Sequence, residues 1–86
     1  MTFGEALDAL KRNKSVARKG WNGKDMYLFL VYGQESITNL INGIYGDPTG
    51  EPLPVLDAIY MKTADNKLVP WIASQTDILA EDWVIV

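Results

Sequence analysis

Eighty-six residues that include neither cysteine nor histidine must close a hydrophobic core with no covalent or Cys/His metal staple. A chain this short buries only roughly 60% of its unfolded surface on folding, so a second core is excluded and the first is thin. Self-association is the remaining way to hide apolar surface. The sequence therefore predicts one domain, residues 1–86, that oligomerises. The same two absences remove the thiol nucleophile, the imidazole base, the zinc finger and Ser-His-Asp chemistry. No run approaches the ~18 consecutive apolar residues of a membrane span, and MTFGEALDAL has no basic, then apolar, leader pattern. The expectation is a cytosolic protein.

Eight basic residues stand against eleven acidic ones, a net charge of -3, which argues against a surface that coats nucleic acid. Six of the eight basic residues (Lys11, Arg12, Lys14, Arg18, Lys19, Lys24) nevertheless fall between positions 9 and 24, a stretch with no carboxylate. Such a local positive field suits a small anion better than a long polyanion. A solvated helix end and hairpin accounts for the same charges.

Periodicity divides the chain. Phe3, Ala6, Leu7 and Leu10 share one face of a helix over 2 to 12, opened by a Thr2/Glu5 capping box and stopped at Asn13. Ser15 to Arg18 is extended, and Lys19 to Asp25, with Asn22-Gly23, is a turn. Met26 to Val31 reads as a strand buried on both faces. Ile37, Leu40, Ile41 and Ile44 show helical spacing, which with Gly43 close to the expected stop predicts a short helix from about 35 to 42, and the following IYGDPTGEPLP reads as a loop or insertion. Leu56 to Lys62 and Lys67 to Ile72 form a hairpin whose second strand, carrying Pro70, is an edge or ends there. Ser74 caps a helical turn through Ala80, and Asp82 to Val86 closes the chain as a strand. This order predicts an α+β fold: a small, mainly antiparallel sheet with an N-terminal helix and one or two short helices.

Candidate chemistry gathers at the tryptophans. All three (Trp21, Trp71, Trp83) adjoin turn or polar residues, and an indole beside a Gly-rich turn can offer its flat face to a base. Arg18, Lys19 and the amides of Gly20, Asn22 and Gly23 are the matching anion donors, which together describe a nucleotide pocket. In so small a domain the tryptophans also read as core, Trp83 most of all. Asp77, Glu81 and Asp82 form the tightest acidic cluster, with Asp77 and Glu81 placed on one helical face by i, i+4 spacing. Two such carboxylates can act as acid and base or hold magnesium with waters, but a cap and a solvated turn explain them equally. Ser74 and Thr76, with no base nearby, read as caps or ligand hydrogen-bonders. No cofactor or metal is implied.

Phe3-Gly4-Glu5-Ala6-Leu7, Val16 to Lys24 (VARKGWNGK), Met61 to Asp65 (MKTAD) and Val69 to Trp83 (VPWIASQTDILAEDW) resemble a family of small phage and prophage proteins, the second type of Thoeris anti-defence protein. The likeness runs end to end, with 32 to 56 the variable part. It implies a sponge, not an enzyme. Such proteins bind cyclic ADP-ribose isomers (glycocyclic ADP-ribose) made by the Thoeris system and hold them uncleaved. Some members take cyclic di- or trinucleotides of CBASS at separate sites. The resemblance also implies a homotetramer with pockets between protomers, no DNA, RNA or membrane partner, and residence in the cytoplasm of the infected or lysogenic host. On this sequence the expected ligand-binding residues are Trp21 and Trp71 as stacking walls and Arg18, Asn22 and Gly23 for phosphate. Ser74, Thr76 and Asp77 are expected at base or ribose hydroxyls. From the residues alone, a nucleotide hydrolase using Asp77 and Glu81 and a phage structural or interaction module remain open.

Overall fold

Helix α1, Phe3–Lys11, starts where the capping box placed it. The Glu5 amide donates to Thr2 Oγ1 at 3.2 Å while the Thr2 amide donates to Glu5 Oε1 at 2.9 Å. These bonds, the one from the Thr2 backbone foremost, hold the Glu5 carboxyl below its ordinary range. Past the C-terminus of the helix, Asn13 takes a left-handed φ of 64°, the stop read from the sequence. These features come from a computed structural model, which describes residues 1–21, 25–46 and 50–86.

Among the described residues five strands, β1 (Val16–Arg18), β2 (Tyr27–Val31), β3 (Ala58–Lys62), β4 (Leu68–Pro70) and β5 (Trp83–Ile85), form one antiparallel sheet in the order β4-β3-β2-β1-β5. Two further helices, α2 (Glu35–Tyr45) and α3 (Gln75–Leu79), complete the α+β fold. Pro70 both ends β4 and lies on an edge strand, where its missing amide breaks no ladder. Asn66, at φ 63°, turns the β3–β4 hairpin.

Register decides what is buried. Val16 faces Leu28, and Leu28 faces Met61, so these side chains share one side of the sheet. There α1 packs on β1, β2 and β5, and Ala6, Ala9, Leu10, Val16, Leu28 and Trp83 close into the fully buried core. The alternate residues line the other side: Ala17 opposite Val84, and Phe29 opposite Tyr60 with ring centroids 6.3 Å apart. Among the described residues no helix packs on that side. This corrects the expectation that Met26 to Val31 is buried on both faces: of β2 only Leu28 is fully buried, because one chain supplies one helical layer.

Two further expectations change. The second helix runs past Gly43 to Tyr45 and stops at Gly46, so Ile44 and Tyr45 belong to it and not to the following loop. Gly43 has ordinary helical geometry and open space around it, so nothing there forces a stop. The helical turn after Ser74 ends at Leu79, with Ala80 already extended, which leaves Glu81 outside it. Asp77 and Glu81 therefore share no helical face.

Candidate functional site

Trp83 is buried completely, and three aromatic rings surround it. Phe3 lies 5.5 Å away, Trp21 meets it edge-on at 5.5 Å, and Trp71 meets it edge-on at 6.1 Å. Its Nε1 donates to the Asp77 carbonyl at 3.0 Å, which satisfies the buried indole and ties β5 to α3. The structural reading of Trp83 holds. Trp21 and Trp71 flank it only half-buried, so each combines packing against Trp83 with indole surface left open. The Trp71 amide donates to the Ile59 carbonyl, which fixes its backbone one residue beyond β4.

Arg18 sits in β1 opposite Trp83 and closes a clasp between distant parts of the chain. Its Nη1 donates to Asp77 Oδ1 at 2.8 Å and its Nε to Asp82 Oδ1 at 2.9 Å. The second Asp82 oxygen accepts from the Gly20 amide at 2.8 Å, and the Lys19 amide donates to the Asp82 carbonyl. One aspartate thus holds both Arg18 and the loop that leads into Trp21. The hydrogen bond from Arg18 is the main reason Asp82 lies below the ordinary aspartate range. At Asp77 burial pushes the pKa up, but the bonds from Arg18 and Ser74 outweigh it and the carboxyl is also lowered. The Arg18 guanidinium, bonded to Asp82 and Asp77, is pushed above its usual value. All three groups are charged at neutral pH, and the trio carries a net charge of -1.

Ser74 caps α3, its Oγ accepting from the Asp77 amide at 3.1 Å. Thr76 lies exposed on α3. Asn22 and Gly23 fall outside the described residues. The structure therefore joins Arg18, Ser74 and Asp77 through one hydrogen-bonded chain, and Trp21 and Trp71 through Trp83. Among the described residues no group of three or more acidic side chains has metal-binding geometry.

A cleft of about 420 Å³ opens at this end of the sheet, lined by Ala17, Arg18, Lys19, Trp21, Asp25, Met26, Tyr27, Val84 and Val86. That volume falls in the roughly 300–1,000 Å³ range of small-molecule sites. Of the residues expected from the sequence, Arg18 and Trp21 line it, whereas Trp71, Ser74, Thr76 and Asp77 do not. Tyr27, Val84 and Val86 were missed. They belong to the sheet side that no helix covers among the described residues, and the unbroken apolar run of β2 conceals that it has an open side.

These features define a small α+β domain with an aromatic-walled cleft at one end of its sheet. The sequence profile of the Thoeris anti-defense 2-like domain matches residues 1–86. A protein of Bacillus phage SP01 named Thoeris anti-defense 2 is 49% identical over 86 residues, 100% of this chain and 94% of that protein. The chain belongs to the Thoeris anti-defense 2-like family.

Proposed function

We propose that the protein is a phage anti-defence sponge that binds cyclic ADP-ribose isomers of the Thoeris system and holds them uncleaved in the host cytoplasm. Family membership supports the anti-defence role. The observation that carries the binding reading is the cleft: it sets the Trp21 indole beside Arg18 and Lys19 and runs onto the uncovered side of the sheet through Tyr27, Val84 and Val86. A second protomer seated on that side would close the cleft, which is how a homotetramer comes to hold pockets between its chains. Cyclic di- or trinucleotides of CBASS belong to the same reading, at separate sites.

Sequestration works by mass action, so affinity decides it. A nanomolar Kd corresponds to about -12 kcal/mol, whereas stacking one base supplies ~1–3 kcal/mol. Pyrophosphate contacts and burial between chains must provide the rest. In this reading Trp21 stacks at the cleft wall, and Trp71, which does not line the cleft of the single chain, is a wall of the pocket completed between protomers. Arg18 turns the N–H groups left over from its clasp to phosphate, and the Asn22 and Gly23 amides take the same role in this reading. Ser74, Thr76 and Asp77, also outside the cleft of the single chain, serve hydroxyls or base edges of a ligand held between protomers. The protein is not an enzyme in this account: Asp77, the carboxylate a hydrolase would use, is bound by Arg18 and kept ionised.

The test adds the protein to a reaction in which glycocyclic ADP-ribose switches on a Thoeris effector. Effector activity should fall in proportion to protein and return when the messenger released by heating is given to fresh effector. An effector unaffected at excess protein, or silenced with no recovery on heating, contradicts the proposal.

A further inference from the structure

Asp82 is the member of the acidic cluster to which the binding reading gives no task. It does not line the cleft, so a ligand seated there meets Arg18, Lys19 and Trp21 and not this carboxylate. Both its oxygens are nevertheless engaged by the end of β1 and the loop that follows. Oδ1 accepts from Arg18 Nε at 2.9 Å and Oδ2 from the Gly20 amide at 2.8 Å, charge-assisted bonds of the strong, short kind. The Asp82 carbonyl adds a third, from the Lys19 amide at 3.1 Å.

The three attachments differ in what they depend on. Arg18 keeps a second partner in Asp77 at 2.8 Å, and the Lys19 bond joins backbone to backbone, so both places retain a tie when the Asp82 carboxylate is lost. The Gly20 amide has no other acceptor among the described residues. A Cβ on Gly20 would lie 3.0 Å from Asp82 Oδ2, so the loop sits over the carboxylate with no room to spare.

The next residue holds the same loop from another side. Trp83, fully buried, pairs with Arg18 across the β1–β5 ladder and meets the Trp21 ring edge-on at 5.5 Å. Asp82 and Trp83 thus mount Trp21 at two points, the carboxylate through the amide one residue before it and the indole through its ring. A stacking wall gives full affinity only when it stands in place before the ligand arrives, because ordering it on binding costs part of what the contact returns. We infer, on the reading of the cleft as a nucleotide site, that Asp82 is a positioning residue of that site: it sets the Trp21 ring without touching the ligand.

Fluorine NMR of protein labelled with 5-fluorotryptophan, recorded without nucleotide and assigned by Trp→Phe replacement, follows the ring itself. Asp82→Asn puts an amide group where one of the two acceptors stood, so the Trp21 signal should shift or broaden while the Trp71 signal keeps its place. Titration with glycocyclic ADP-ribose then reads the consequence. Asp82→Asn should weaken Kd roughly tenfold or more, the scale on which supporting partners act. In a Trp21→Ala background it should weaken Kd by about twofold or less, since no ring is left to position. Gly20→Ala, which keeps the charge and crowds the carboxylate from the loop side, should move the same signal and stands in should Asp82→Asn misfold. An unmoved Trp21 signal in a folded variant overturns the inference, and so does an equal loss of affinity in both backgrounds, which would put Asp82 on the ligand. Wild type with no affinity for this nucleotide overturns the proposed function and the inference together; wild type that binds, beside an Asp82→Asn variant that binds equally well, overturns the inference alone.

Discussion

Trp21→Ala separates packing from binding, because Trp21 is half-buried against Trp83 and also lines the cleft. Removing a fully buried tryptophan costs ~3–5 kcal/mol, so a half-buried ring forfeits roughly half of that, including about 0.5–1.5 kcal/mol for the edge-on contact with Trp83. In a domain of this size each kcal/mol moves Tm by about 4–8 °C, which gives a fall of roughly 6–20 °C and a protein still folded at 25 °C. If the same indole stacks on a base, it also removes ~1–3 kcal/mol of binding, a roughly 5- to 150-fold weaker Kd. Thermal melts followed by circular dichroism give the first quantity. Titration calorimetry with glycocyclic ADP-ribose gives the second. A folded variant with lowered Tm and unchanged affinity would refute the placement of Trp21 at the ligand, and a variant unfolded at 25 °C would refute the half-buried ledger.

Trp83→Ala should cost the full ~3–5 kcal/mol and leave little folded protein by circular dichroism, since its ring is enclosed on three sides. The Arg18 clasp sets a pH dependence. Asp77 and Asp82 are lowered in the folded state, so their contribution is present above the ordinary aspartate range and is lost as pH falls below about 4 towards their folded values. Asp82→Asn should flatten the acid side of a Tm-against-pH curve, and an unchanged curve would count against the clasp. Ser74→Ala should cost about 1 kcal/mol through the lost α3 cap, a Tm fall of about 4–8 °C. Gly33→Ala drives a Cβ into the Val55 carbonyl, so the backbone leading into α2 must shift away from the segment that returns from it. Strain of ~1–3 kcal/mol should appear in the melt, and a neutral substitution would show that the two segments are not held together there.

The sequence was most legible where local chemistry and periodicity agree. The Thr2/Glu5 box and Asn13 are local start and stop signals, and the 3.6-residue spacing of Phe3 to Leu10 names the face that is in fact buried. Gly43 misled, because a glycine inside a helix costs about 1 kcal/mol without ending it, and the true end at Gly46 came three residues later. Whether β2 has one or two buried faces is not written in its apolar run; it depends on how many helical layers the chain can supply. The candidate site divides in the same way. Arg18, Trp21 and Asp77 were visible as residue types beside turns, but the Arg18 bonds to Asp77 and Asp82 span 59 and 64 residues, a pairing no local pattern reveals. The cleft residues Tyr27, Val84 and Val86 come together only through sheet order.

The claim on which the functional account turns is that a cyclic nucleotide messenger is captured whole. Purified protein titrated with glycocyclic ADP-ribose in a calorimeter, followed by chromatography of the nucleotide released on heating, tests it directly. Saturable binding at nanomolar Kd with the input molecule recovered unchanged is the predicted result. Absence of heat at micromolar concentrations, or recovery of an opened or hydrolysed product, would contradict it.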